Sequence, residues 1–403
     1  MTVLRHRDFR NLFLGQSLST VGDRIVFVAL ALYVTEIGTP SDVGLVLAAH
    51  ALPLVGFILL GGVLADRVRR TRVMIASDIV RCALHALLAA LIFTGAVEIW
   101  HIVVIEASYG CAEAFFKPAQ TGLLPQTVPE DEIQQARAAS GTVETVAEFA
   151  GPALATTLVL GLGAGWAFAI DAATFLVSIA FLLRVRPRER GEAAAAQTVL
   201  ADLRDGWRAV RERAWLWSIL VCFSAAVLLS FAPWFTLGPT VAEDVYGGTG
   251  AFGVLVAAAG AGTIAGAVTG FRWRPLYPLR TGMVLALLWP LAMFAVALGL
   301  PLGVVVPACF SSGFGIALFG IWWETALAER VPPHLLSRVS AYDWMVSLSL
   351  LPLGYLLSGP LGEAFGAQTV LAVGTAAATL ALAAGLLVRE TRALRRLEPT
   401  AAA

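Results

Sequence analysis

The chain has 403 residues, 58% of them hydrophobic and 14% charged, with a mean hydropathy of +0.78 and a formal net charge of zero. A soluble globular domain carries about 25% charged residues, so this composition excludes one and describes an integral membrane protein. Lys117 is the only lysine, so a phosphate loop ending in Gly-Lys-Ser/Thr is impossible and ATP-driven pumping by this chain alone is excluded.

Arg5, Arg7 and Arg10 open the chain without a small-residue cleavage site, so the first apolar run is expected to stay as a helix. Runs long enough to cross a bilayer fall at about 11–38, 43–64, 73–96, 99–123, 140–162 and 166–185. A second set falls at about 215–239, 251–271, 280–300, 302–327, 340–364 and 367–389. They predict an all-α membrane protein of about twelve spans in two lobes, 1–185 and 215–403, joined by a polar linker over 186–214. Within the linker, Leu200, Leu203, Trp207 and Val210 recur at helical spacing, which predicts an amphipathic helix along the membrane surface. Cys82, Cys111, Cys222 and Cys309 lie inside apolar runs without metal-type spacing and read as packing residues. The sequence has neither His-Glu-x-x-His nor Gly-x-Ser-x-Gly. No enzyme activity, cofactor, metal or nucleic-acid partner is expected.

Charge in the loops sets the orientation. One set of loops holds Arg67 to Arg72, Arg137, Arg186 to Arg213, Arg272, Arg274, Arg330, Arg338 and the tail Arg389 to Arg396. The opposite set holds Glu36, Asp42, Glu98, Glu243, Asp244 and Glu363 and no arginine. Arginine-rich loops stay in the cytoplasm, so both termini are predicted there.

Ionisable groups inside spans are the informative ones, since each costs roughly 2.5–3.5 kcal/mol at a helix centre on insertion scales. In the first span Gln16, Thr20 and Asp23 share a stripe, with Arg24 about 100° away. In the fourth, Glu106, Gly110, Glu113 and Lys117 form another, and in the fifth Glu144 and Glu148 are one turn apart. Asp78, Arg81 and His85 lie in the third span, Asp171 in the sixth, and Glu324 beside Trp322 and Trp323 in the tenth. Structural ion pairing at helical spacing is one reading of Glu113 with Lys117 and of Asp78 with Arg81, a functional role the other. Arg24 is expected within reach of Asp23, Glu113 or Glu148, because an unpaired arginine at mid-membrane is hard to sustain.

Between the second and third spans stands Gly62-Val-Leu-Ala-Asp66-Arg67-Val-Arg-Arg70. This resembles the signature loop of the major facilitator superfamily, with Arg69 in place of the usual glycine. The resemblance implies two six-helix lobes around a central cavity, with Asp66 capping a neighbouring helix and Arg67 and Arg70 clamping the lobes. Asp78 is expected to support that loop. Leu124-Pro125 with Val128-Pro129 after the fourth span, its counterpart at Val331-Pro332, and Gly151-Pro152 with Gly359-Pro360 fall at matching places in the two halves, as in a repeat-built transporter.

The whole chain is most similar to the drug:proton antiporter branch that holds macrolide-efflux and enterobactin-export proteins. Many antiporters of that branch carry an arginine where this chain has Glu106. The resemblance implies a monomeric exporter of amphipathic organic compounds, driven by proton antiport with alternating access. Asp23, Arg24, Glu106, Glu113 and Glu148 are then the proton-coupling candidates. Gln16, Phe115, Trp234, Trp322, Trp323 and Glu324 are the cavity candidates, aromatic faces suiting bulky, partly cationic substrates. The preference for arginine over lysine points to a GC-rich bacterium, and the location expected of such a transporter is the inner membrane. Symport uptake, lysolipid translocation by the same fold and a non-transporting receptor or scaffold are the competing readings.

Overall fold

The computed structural model describes residues 2–129, 132–187, 207–270 and 272–396. The described residues are almost entirely helical, with no strand among them. In a bilayer only a helix or a closed barrel satisfies every backbone polar group, so long apolar runs become helices whatever their residue propensities. Among the described residues, eleven helical spans are long and apolar enough to cross a membrane. Contacts divide the chain into two compact units, Met1–Ala193 and Ala194–Ala403.

Unit 1 contains α1 (Arg7–Ile37), α2 (Pro40–Arg67), α3 (Arg70–Phe93), α4 (Ile99–Leu123), α5 (Ile133–Leu162) and α6 (Ala164–Leu182). Short connections join these helices, and α2 and α4 carry capping boxes at their starts. Thr39 and Asp42 form a reciprocal capping box at the start of α2, with Pro40 at the position where a missing N–H costs nothing. Packing sets α2 against α4, α1 against α5 and α6, and α3 against α4 and α6.

In unit 2, a short helical stretch at 207–211 precedes α7 (Ala214–Ala226), which passes through a π turn (Val227–Phe231) into α8 (Ala232–Tyr246). Pro233 lacks an N–H, and the wider turn just before it absorbs that break, so the pair still makes a single span. Then come α9 (Gly250–Gly270), α10 (Pro278–Ala286), α11 (Leu288–Ala297), α12 (Leu302–Arg330), α13 (Pro333–Ser349), α14 (Leu351–Phe365), α15 (Ala367–Gly385) and the short α16 (Arg389–Ala393). Pro290 interrupts the third span of this unit at Leu287, and Pro352 interrupts the fifth at Leu350.

The two units repeat one another in places that composition does not dictate. The turns after the third span of each unit use Gly95 and Gly299, both at φ 68°, and those after the fifth use Gly163 (φ 92°) and Gly366 (φ 86°). In unit 1 a Cβ on Gly110 would run into the His50 carbonyl, and one on Gly61 into that of Ala114. In unit 2 Gly262 meets the Phe310 carbonyl and Gly313 that of Ala259 in the same reciprocal way. Second and fourth spans therefore pack backbone to backbone in both units, as small residues allow between membrane helices.

Helices outrun the apolar stretches that predicted them. The first starts at Arg7 rather than 11, the fifth at Ile133 rather than 140, and the seventh span runs on to Tyr246 rather than 239. Hydrophobicity marks only the part of a helix in hydrocarbon, and the backbone continues into the polar flank. Of the expected linker, 188–206 with Leu200 and Leu203 lies outside the described residues. Val210 is buried in the apolar core of unit 2 with Trp215, Leu216 and Trp323, and the Trp207 ring lies 5.8 Å from that of Tyr342.

Candidate functional site

Inside unit 1 the ionisable side chains of five helices form one connected chain. On α4, Glu106 and Glu113 are seven residues apart and so share a face. Across from them α2 offers His50, whose Nδ1 lies 3.1 Å from Glu106 Oε2 and whose Nε2 lies 3.1 Å from Glu113 Oε2. The close approach at Gly110, which abuts the His50 backbone, is what brings this ring to both carboxylates. Glu113 also pairs with Lys117, Oε1 to Nζ 3.3 Å.

Deeper in the bundle, His85 of α3 stacks on the Tyr109 ring with centroids 4.3 Å apart. Its Nδ1 lies 2.5 Å from Asp171 Oδ2 on α6, and its Nε2 lies 3.7 Å from Glu106 Oε1. Arg81 holds a second branch. It is fully buried, its guanidinium lies 4.0 Å from the Phe116 ring centre and 4.4 Å from that of Phe175, and it pairs with Asp78. Its Nη1 lies 3.7 Å from Asp23 Oδ1 on α1, and that carboxylate also accepts a 2.5 Å hydrogen bond from the Tyr109 hydroxyl. Asp78 accepts from Ser178 (2.6 Å), Ser178 accepts from Gln16 Nε2 (2.9 Å), and Gln16 Oε1 accepts from Gln120 (3.2 Å). Such density of charge within membrane helices is sustained only by mutual pairing or by contact with a polar cavity.

The comparisons with known proteins agree on what kind of molecule carries this arrangement. The profile of the transmembrane secretion effector family, a group of membrane transporters, matches residues 1–402. The chain belongs to the major facilitator superfamily. Macrolide efflux protein A of Streptococcus pyogenes is 21% identical to this transporter over 367 residues, 89% of this chain and 90% of that one. Multidrug efflux pump Tap of Mycolicibacterium fortuitum is 25% identical over 86% of this chain and 87% of its own. The uncharacterized transporter YfiS of Bacillus subtilis is 30% identical, but over 185 residues that span only 43% of its length. Among solved structures, an inward-facing bacterial homologue of the lysosomal transporter Spinster superposes with a TM-score of 0.74 at 16% identity, covering 98% of this chain and 99% of that one. The nucleoside transporter NupG gives 0.74 at 14% identity, covering 94% and 98%. At such identities these likenesses show the fold alone.

The transporter brings Asp23, Glu106 and Glu113 together; Glu113 has the expected Lys117, while the partners of Asp23 and Glu106 were not expected. The cation beside Asp23 is Arg81 of α3, from the other side of the bundle. Arg24 turns its Cβ toward Gly151 on α5, and the side chain of Glu148 lies outside the described residues. Asp78 does not support the signature loop. Eight residues beyond Arg70 it is roughly 12 Å up the helix, buried between Arg81 and Ser178. In the loop itself Arg70 Nη1 donates to the Gly122 carbonyl at the end of α4 (2.7 Å), Arg67 is exposed, and a Cβ added at Gly62 would have open space among the described residues. The side chain of Asp66 lies outside the described residues.

The aromatic cavity candidates are mostly packing residues. Trp234 is buried against Phe252, ring centres 5.1 Å apart. Trp323 is buried and donates to Asp343 Oδ2 (2.9 Å), while Trp322 is buried and donates to the Trp273 carbonyl (3.3 Å). The indole N–H groups of Trp322 and Trp323 are thus used inside unit 2, and the buried rings offer little face to a ligand. Glu324 beside them is exposed, and Phe115 packs half-buried on the core around Leu12, Met74 and Phe116. Sequence reasoning missed His50 altogether and left His85 and Tyr109 without roles. The signal was present as an imidazole near the middle of an otherwise apolar run.

Proposed function

We propose that the protein is a secondary active exporter of amphipathic organic compounds, partly cationic, driven by inward proton flow with alternating access. The observation that carries this reading is the carboxylate–imidazole chain from Lys117 and Glu113 through His50 and Glu106 to His85 and Asp171. A helix bundle that needed polar contacts only for packing would meet the need with neutral hydroxyls and amides, at far lower cost in lipid. Groups that can hold or give up a proton serve a purpose beyond packing. Asp23 and Glu113, whose side chains remain 27% and 14% exposed, are the two places where such a chain can meet a cationic substrate.

The efflux proteins among the relatives favour export over uptake. Arg70, bonded to the end of α4, and its neighbours Gly62, Asp66 and Arg67 supply the clamp that alternates with transport. The setting is the inner membrane of a bacterium, with both termini cytoplasmic and the monomer as the working unit.

Purified protein in liposomes, with a pH gradient imposed, tests the reading against the macrolide erythromycin and the lipophilic cation ethidium. Accumulation against their own gradients that vanishes when the pH gradient is collapsed is the expected result. Equal flux with and without the gradient would leave facilitated export in its place.

A further inference from the structure

The position of His50 requires a proton. A neutral imidazole has one N–H to give and one lone pair to receive, whereas an ionised carboxylate can only accept. Both ring nitrogens here lie 3.1 Å from carboxylate oxygens, Glu106 Oε2 on one side and Glu113 Oε2 on the other. Two such contacts are satisfied only if the trio holds one proton more than a neutral ring between two carboxylates. That proton sits either on the ring, as an imidazolium, or on one of the carboxyl groups. The two arrangements have the same composition, and a proton passes between them by entering one ring nitrogen as another leaves from the opposite one. Lysine or arginine would neutralise the two acids equally well but could not relay.

The ends of this relay differ in access. Glu113 keeps 14% of its side chain exposed and contacts Lys117, which is half exposed. Glu106 keeps 2%, and its Oε1 is buried without a hydrogen-bond partner. Facing it at 3.7 Å is His85 Nε2, also buried and unpartnered. That gap is beyond hydrogen-bond length, so the hydrogen-bonded part of the relay ends at Glu106, with His85 held on its far side by Asp171.

We propose that His50 is the proton carrier of this transporter, exchanging with the open side through Glu113 and holding its proton against Glu106. The inference rests on the proton-antiport reading. The groups that face His50 are Glu106, Tyr109 and Glu113 of α4, with Lys117 behind Glu113. Beyond the Tyr109 ring stand His85 and Arg81 of α3 and Asp23 of α1. An organic cation that pairs with Glu113 takes away one of the two carboxylates that keep the proton on the ring. Substrate arrival and proton departure are then the same event.

The test measures proton release on adding ethidium or erythromycin to the detergent-purified protein, followed with a pH indicator in weak buffer. The same preparations are compared in liposomes for gradient-driven accumulation and for substrate-for-substrate exchange. Wild type should release protons on binding. His50→Gln and His50→Asn should lose that release and at least tenfold of the gradient-driven accumulation, while still exchanging substrate for substrate. Retention of both within twofold in either variant overturns the assignment. Wild type that neither releases protons nor responds to the gradient instead defeats the antiport reading itself. Should both variants fail to fold, infrared difference spectra of wild type carrying isotope-labelled histidine decide the matter. Loss of an imidazolium band on adding substrate supports the carrier, and its absence overturns it.

Discussion

Gly110→Ala is the sharpest structural perturbation available, because one methyl group acts on both stability and the relay. Its Cβ would press on the His50 carbonyl oxygen, more than about 1 Å inside ordinary contact, and overpacking of that kind costs about 1–3 kcal/mol. The strain is relieved if α2 backs away from α4 by that distance. The 3.1 Å separations from His50 to Glu106 and Glu113 then stretch to about 4 Å, past the reach of a hydrogen bond. The expected outcome is a lowered unfolding midpoint in detergent, with a loss of gradient-driven transport of roughly tenfold, the factor set by about 1.4 kcal/mol. On α2, the Cβ added by Gly56→Ala meets no other group of the described residues within 4 Å, and this variant should keep or raise the midpoint. Wild-type midpoint and wild-type flux in Gly110→Ala would refute the reasoning, since α2 and α4 could not then be held at this spacing.

Arg81→Leu leaves Asp78 buried without its cation and should cost about 3–5 kcal/mol, read as lost expression or an early midpoint. Adding Asp78→Asn to the same chain should restore part of it. Glu132 tests a pH dependence outside the membrane. Burial pushes its pKa up, but contacts from Arg5 (2.6 Å) and His6 (2.9 Å) outweigh that and hold it below the usual carboxylate range. Its pinning of the N-terminal segment is therefore full above about pH 4.3, the ordinary glutamate value, and is lost as pH falls through the lower folded value. Amide exchange at residues 2–5 should speed up across that window in wild type, and should already be fast at neutral pH in Glu132→Gln. For topology, a reporter fused after Arg213 should be cytoplasmic and one at Gly248 external; an internal Gly248 reporter would invalidate the assigned orientation.

The fold was legible because lipid leaves the backbone few options. Uninterrupted apolar length marked the spans. The helix ends were less legible, since Arg137 and Arg7 are carried on helices that continue past the apolar stretch. On α4 the stripe Glu106, Gly110, Glu113 and Lys117 follows from spacing within one helix, and the structure keeps it on one side. What crosses between helices was hidden. His50 has no patterned neighbour on α2, and its partners stand 56 and 63 residues away. Asp23 finds Arg81 through tertiary packing that no local spacing encodes. A tryptophan in an apolar run looks the same whether it lines a cavity or fills a core, and Trp322 and Trp323 fill the core.

Coupling to protons is the central claim, and reversing the gradient on one preparation tests it most directly. Proteoliposomes loaded with ethidium and held at zero membrane potential are given a pH difference of one sign and then of the other. Net ethidium flux that changes direction with the sign of the proton gradient, and stops when the gradient is collapsed, is the predicted result. Flux that keeps its direction down the ethidium gradient whichever way the protons are drawn would contradict it.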